Sequence, residues 1–380
     1  MTELTSTITE RRRLTRNLMY QYIYDTGTPV SKQQIAATLG YSLPTVHQNI
    51  AELQEADLIR AAEPLKSTGG RPAIGYVINE KIRYAIGASV SSEQLRLLLT
   101  DLRQNEIDLV SAPLQHADGV SIGRQIREDA AACLKKNGID AQNVLGIGVT
   151  FPAVLDPKKD EIVLSPTLGM KDIALKAIRE EIPFPVFFDN DSTSGGTAEW
   201  RGLSPEERKK DFIYLFLENG IGGSIFINEK PYPGNNGRSA EFGHMCIHPN
   251  GRACHCGRKG CLEAYCSAYR FTTDLGVSAE EFFEQLAAGR ADYRILWDEV
   301  LTNLAVAITN LRMSFDCDII LGGFVTKYMK PYMERLRTYV AEQNPFEKEG
   351  SSYIKLGQYP LRAGMMGVAW HFLNEFMEQI

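Results

Sequence analysis

Residues 243 to 263 read GHMCIHPNGRACHCGRKGCLE, with four cysteines and three histidines in 21 positions. No other stretch limits the fold as strongly, because a run so rich in soft donor atoms and glycine has neither helical nor strand periodicity and must be organised by something it binds. Cys254, Cys256 and Cys261 form a C-x-C-G-x-x-G-C turn that can offer three thiolates, with Gly257 and Gly260 relaxing the backbone around them. Zinc takes four soft or borderline donors at tetrahedral corners. The total of seven cysteines is odd, and the first twenty residues, MTELTSTITERRRLTRNLMY, carry no apolar core or small-residue cleavage site of a secretory signal. A cytoplasmic protein is expected, and in a reducing compartment metal ligation or burial is the better use for thiols than disulfide bonding.

A chain of 380 residues should hold two or three packing units at about 100–200 residues each. With 44% hydrophobic and 23% charged residues it reads as an ordinary globular protein, and no apolar run approaches the roughly 18 residues of a membrane span. The net charge of −6 argues against nucleic acid binding over the whole surface. That excess of acid lies entirely past residue 80, however, since residues 1–80 contain eight basic and eight acidic side chains. Arg11, Arg12, Arg13 and Arg16 cluster at one end of this neutral segment and can present a local positive face.

The first eighty residues carry three helix signals. From Arg12 to Tyr24 the apolar positions Leu14, Leu18 and Ile23, with Tyr20 and Tyr24, recur at roughly helical spacing before Gly27 and Pro29 end the pattern. Ser31 is placed to cap a helix containing Ile35 and Leu39, with Gly40 supplying a left-handed turn. Ser42 is placed to cap LPTVHQNIAELQEADLI, in which Pro44 suits the first turn and Val46, Ile50 and Leu53 mark the buried stripe. This is a helix-turn-helix, and Thr45, Gln48 and Asn49 are the expected base-contacting positions of its third helix. Strands at Leu58–Ala62 and Ile74–Ile78 then form a wing, whose tip TGGRPA offers Arg71 to a narrow minor groove. Polar residues on a helix face and a hairpin arginine also occur as plain solvated groups. The domain boundary is expected near Asn79.

Beyond residue 80 short apolar runs alternate with helical stretches, as in RYAIGASV, VLGIGVTFPAV and FPVFFDND. FIYLFLENGIGGSIFI and CDIILGGFV repeat the strand-then-glycine arrangement and suggest a second α/β lobe with a ligand cleft between the two.

Six motifs together resemble the ROK family of repressors and sugar kinases: STGGRPA in the wing, DNDS at 189–192, NGIGGSI at 219–225, AEFGHM at 240–245, CHCGRKGCLE at 254–263 and IILGGFV at 319–325. The resemblance spans nearly the full length. It implies an α/β protein with an N-terminal winged helix-turn-helix (1–79) followed by an actin-like, ribonuclease H-like two-lobed sugar kinase fold. The first lobe would be 80–198 plus 362–380 and the second 199–361. It also implies a zinc site of His244, Cys254, Cys256 and Cys261, structural in kind because four protein ligands leave no position for water. Cys246, His248, His255 and Cys266 are read as packing or surface residues. Asn190, Asp191, Glu241, His244 and Glu263 are implied as monosaccharide ligands, groups able to satisfy a ring of hydroxyls with directional hydrogen bonds.

The nucleotide half of the implied kinase departs from the family pattern. Where its kinases carry aspartate and then Gly-Gly-Thr in the first phosphate loop, this chain has Ser89 and then Ser91, Ser92 and Glu93, and the second loop reads Glu218, Asn219, Gly220. Side chains crowd a backbone that should approach phosphate, and two carboxylates repel it. Asp191 matches the kinases' general base but is expected to be a vestige, with no catalytic residue in use. The expected function is a sugar-responsive repressor. A monosaccharide effector would lower affinity for a double-stranded, pseudo-palindromic operator read by a homodimer or homotetramer. The alternative is an ATP-dependent hexose kinase with an appended DNA-binding domain. A zinc finger reading of the cysteine cluster is set aside, because no recognition helix separates paired ligands. Ala153 and Thr167 stand where the family commonly has glycine and asparagine, which leaves the sugar unspecified.

Overall fold

The computed structural model describes residues 8–64, 73–156, 158–346 and 352–380. The expected minor-groove contact, Arg71, lies outside the described residues.

Helices Ile8–Thr26, Lys32–Leu39 and Leu43–Glu55 and an antiparallel hairpin of Ile59–Pro64 with Ile74–Ile78 make the N-terminal unit. The caps are those the sequence indicates. The Ser31 hydroxyl accepts from the Gln34 backbone in a full capping box, Gly40 closes the second helix at φ 71°, and the Ser42 hydroxyl accepts from the Thr45 backbone. Val46, Ile50 and Leu53 are buried as expected. The first helix departs from its expected stripe: Leu14 and Leu18 are each 47% exposed, while Met19, Tyr20, Ile23 and Tyr24 face inward.

The partner of that inner face is the helix Ala363–Glu378 at the other end of the chain, through Trp370, Leu373, Met377 and Ile380 in one shared core. Polar contacts finish the seam. Arg16 donates to the Ile380 carbonyl at 2.9 and 2.6 Å, Arg13 to that of Glu378 at 2.6 Å, and the buried Asn17 amide to that of Met377. Helix-end carbonyls lack internal partners, so these donors satisfy them and fix the angle between the two helices. The winged helix is therefore fused to the body rather than hung from a linker.

The rest of the chain builds the same sheet twice, although no sequence repeat is visible. In the first lobe the strands lie in the order Val186–Asn190, Val144–Phe151, Tyr84–Val90, Gln94–Asp101, Glu106–Pro113. In the second the order is Ile354–Leu356, Asp318–Gly322, Phe212–Leu217, Ile221–Ile227, Lys230–Pro231. Each sheet is an antiparallel three-stranded meander continued by two parallel strands, and each has its own apolar core. A small antiparallel sheet, 154–156 with 161–165 and 170–174, is added to the first lobe.

Two helices hold the lobes together. Asp191–Gly202, which we call the cleft helix, spans the expected boundary at 198/199. Its glycines let it approach both neighbours closely: a Cβ on Gly196 would sit 2.1 Å from the Ser224 hydroxyl, and one on Gly367 of the C-terminal helix 1.8 Å from the Ser194 carbonyl. The C-terminal helix thus touches the cleft helix on one side and the winged helix on another.

Candidate functional site

The cysteine-rich segment folds as a loop of turns and isolated bridges, with Cys246 paired to Cys261 and Ala253 to Lys259. Gly257 and Gly260 adopt φ 83° and 81°, and at Gly260 a Cβ would lie 1.9 Å from the His248 carbonyl. Only glycine fits there. This folding brings donor atoms of His244, Cys254, Cys256 and Cys261 all within 4.8 Å of one another. Cys256 Sγ is 3.8 Å from Cys261 Sγ, and Cys254 Sγ is 3.9 Å from His244 Nδ1. Thiolates about 2.3 Å from a tetrahedral ion lie roughly 3.8 Å apart, so the four side chains have the spacing of a metal cage. Burial pushes the Cys254 thiol up to about 12, and a cation is what would let that sulfur shed its proton at neutral pH. Of the expected spares, Cys266 is buried with its thiol on the Val300 carbonyl, and His248 contacts Asn303.

Beside the cage stands Glu263. Buried at 8% exposure, it accepts from the Ile221 backbone at 3.0 Å through Oε2 and lies 2.7 Å from His255 Nδ1 through Oε1. One carboxylate thereby ties the metal loop to the turn at 218–221. Glu241 immediately precedes the short 3-10 turn Phe242–His244. The cleft walls desolvate its carboxyl and raise its pKa, His244 opposes that rise, and Glu263 adds to it. Glu241, His244 and Glu263 are thus brought together.

Asn190 and Asp191 lie where strand Val186–Asn190 turns into the cleft helix. Asn190 is largely engaged there. Its Oδ1 caps the helix by accepting from Ser192 and Thr193 backbone amides, at 2.9 and 3.2 Å, and its Nδ2 donates to the Ala153 carbonyl at 2.9 Å. A single Nδ2 proton remains for a ligand. Ser192 bonds the Gly223 carbonyl at 2.9 Å, so Asn190, Ser192, the start of strand Ile221–Ile227 and Glu263 form one connected wall.

The Asp191 carboxyl is pushed up to about 8 by burial, then by the negative charge of Glu218 and more weakly of Asp189. Glu218 rises to about 7, mainly from desolvation, while accepting from the Phe324 backbone at 2.9 Å. Asp189 also rises to about 7 on burial. Three carboxyl groups therefore gather between the start of the cleft helix and the end of strand Phe212–Leu217. Asp189 joins Glu218 and Asp191 here without a sequence signal, since nothing in DNDS distinguishes a cleft acid from a strand-end acid. The first loop is closed upon itself: the Ser91 amide and hydroxyl both donate to the Gln94 carbonyl, each at 2.9 Å, and the Gln94 amide returns to Ser91 Oγ at 3.1 Å.

On the third helix, Thr45 is half-buried and Gln48 exposed, but Asn49 is not on the outer face. It is 7% exposed, and its amide donates to the Thr45 carbonyl at 2.8 Å. The exposed neighbour is His47, whose Nδ1 lies 3.1 Å from Lys32 Nζ. An assignment of 47 and 48, in place of 48 and 49, would have followed from the phase set by Val46, Ile50 and Leu53.

With this geometry established, likenesses to known proteins can be placed. A model of the ROK family matches residues 122–375. The chain is 27% identical to the xylose repressor of Bacillus subtilis (strain 168) over 365 residues, covering 92% of this chain and 93% of that protein. Among solved structures, a ROK family transcriptional regulator described as a homolog of the E. coli MLC protein superposes with a TM-score of 0.74 at 19% identity, covering 97% of each chain. A ROK hexokinase from Thermus thermophilus gives 0.61 at 23% identity, covering 77% of this chain and all but 1% of that one. Both structures share the fold: a two-lobed, actin-like body.

Proposed function

The chain belongs to the ROK family, and from that premise we propose that it is a sugar-responsive transcriptional repressor. The observation that carries this reading is mechanical. The helix that starts at Asp191 in the cleft packs on the C-terminal helix, and the C-terminal helix shares its core with the first helix of the winged unit. A ligand that changes how the lobes close acts on helices in direct contact with the DNA-reading unit.

In this reading Glu241, His244, Glu263 and Asp191, with the remaining Asn190 proton, hold a monosaccharide. Zinc bound by His244, Cys254, Cys256 and Cys261 would fix the imidazole and, through its loop, Glu263. No water is activated there, since all four positions belong to protein. Thr45, His47 and Gln48 face the major groove and Arg71 the minor groove, with two copies reading a pseudo-palindromic operator in the cytoplasm.

The kinase alternative is disfavoured by two observations on the nucleotide side: the donors of the first loop are used within its own turn, and Glu218 adds charge beside Asp191. Phosphoryl transfer depends on backbone donors and magnesium neutralising the phosphates.

The test uses a duplex selected from random sequence for binding to the full chain, followed by fluorescence anisotropy during sugar titration. D-xylose comes first, given the relative's name. Sugar is expected to weaken operator binding at least tenfold, about 1.4 kcal/mol of coupling. Unchanged affinity across a panel of pentoses, hexoses and amino sugars would contradict the proposal, as would ADP formed from magnesium ATP and any of them.

A further inference from the structure

Away from the cleft, a cavity of about 710 Å³ opens where the winged unit, the first lobe and the edge of the second lobe meet. Its walls carry four arginines, Arg103, Arg201, Arg208 and Arg362, against two carboxylates, Asp25 and Glu106. The lining therefore holds an excess of two positive charges.

Each arginine is held in place. Arg201 stacks on Trp370 with its guanidinium carbon 4.3 Å from the ring centroid, lies 4.7 Å from that of Tyr24, and is only 12% exposed. Arg103 donates to the Tyr24 carbonyl at 3.0 Å from a turn fixed by Asp101, which accepts from the Arg103 and Asn105 backbones. Arg362 sits at the start of the C-terminal helix, 2.7 Å from Glu106. Arg208 is 14% exposed, and its buried Nε has no hydrogen-bond partner.

Asp25 cannot balance this set. A single oxygen, Oδ1, serves both Arg201 at 3.1 Å and Arg208 at 3.4 Å. Guanidinium groups remain charged at every physiological pH, so preorganised arginines in a partly enclosed cavity repel one another unless an anion joins them. We propose that this junction is a binding site for a phosphate-bearing small molecule, with the dianionic phosphate held by Arg208 and Arg362 and assisted by Arg103 and Arg201. The charge matches a phosphate monoester, arginine forks match its oxygens, and the volume lies within the range of small-molecule sites. A phosphate here would compete for Arg208 and Arg201 with Asp25, which lies at the C-terminal end of the first DNA-domain helix, and for Arg362 with Glu106. The site would then report phosphorylated metabolite independently of the sugar cleft.

The experiment is isothermal titration calorimetry on the full zinc-loaded chain, without DNA and in phosphate-free buffer. The probes are inorganic phosphate, glucose 6-phosphate, fructose 1,6-bisphosphate and glucose. Saturable binding of a phosphate-bearing probe at one per chain is expected, weakened at least tenfold in Arg208→Gln and in Arg362→Gln and unchanged in Glu241→Gln. Equal affinity for inorganic phosphate and the esters would support a site that reads the phosphate group alone. Arg362 is 46% exposed, so its variant should keep the wild-type melting temperature even if Arg208→Gln does not. The proposal is overturned if no phosphate-bearing probe binds, or if binding survives both arginine variants and disappears in Glu241→Gln, which places it in the cleft. It is equally overturned if Arg362→Gln binds every phosphate-bearing probe as tightly as the wild-type chain.

Discussion

The two rims of the cleft use the same kinds of residue to opposite ends. On the metal side, an imidazole and two carboxyl groups converge on one space, held by a loop that closes around four donor atoms. On the opposite side the first loop uses its donors within its own turn, and the second loop adds a carboxylate to two others. The difference teaches how side chains on a fold shared with kinases can be suited to different ligands: phosphate binding depends on bare backbone and positive charge, whereas hydroxyl binding depends on side-chain acceptors.

The sharpest way to break this contrast is through the metal. Cys256→Ser should reduce bound zinc from one per chain to none by atomic emission, lower the melting temperature by several degrees, and abolish the sugar effect on operator binding. Retention of a full sugar response in the metal-free protein would sever the cage from the carbohydrate rim. Next in size is turnover. The wild-type chain should form no ADP above background, and Glu218→Gly alone should not restore it, since Ser91 and Gln94 still close the first loop.

On the DNA unit, Gln48→Ala and His47→Ala should each weaken selected-duplex binding about tenfold, within the range of roughly 1–3 kcal/mol for a lost base contact. Asn49→Ala should cost stability instead, about 1 kcal/mol from the lost side-chain hydrogen bond to Thr45 and the lost buried contact, visible in urea denaturation.

The smallest expected effect concerns pH. The raised carboxyl pKa of Glu218, near 7 against an ordinary value of 4.5, means that the folded protein binds this proton more tightly than the unfolded chain. Its contribution is neutral below about pH 4, grows more destabilising as pH rises from about 4.5 to about 7, and levels off above that. Glu218→Gln should therefore raise the melting temperature by about 2–4 °C at pH 8 and leave it unchanged at pH 4. An equal gain at both values would show that the carboxylate's charge is not the cause.

Much of this was legible in the sequence, for identifiable reasons. The caps Ser31, Gly40 and Ser42 each meet a local backbone requirement, so the winged unit's helices follow from neighbours in the chain. The clustering of His244, Cys254, Cys256 and Cys261 was equally readable, because glycine positions and donor spacing are short-range. What could not be read were contacts between distant segments. Leu14 and Leu18 face outward because the true inner face of the first helix is chosen by Trp370, Leu373 and Met377, some 350 residues away. The duplicated sheet order leaves no trace in sequence, since each lobe needs only alternating apolar strands. Asn190 resembles a free ligand in DNDS but spends most of its amide capping the helix it begins.

The claim on which the rest depends is that the carbohydrate rim communicates with the winged unit through the cleft helix and the C-terminal helix. Replacing Gly367 with valine forces those helices apart at Ser194, and operator anisotropy with and without saturating sugar then measures their coupling. The account predicts that the variant still binds zinc and sugar but loses at least nine-tenths of the sugar-induced change in operator affinity; a variant with separated helices and an undiminished sugar response would contradict it.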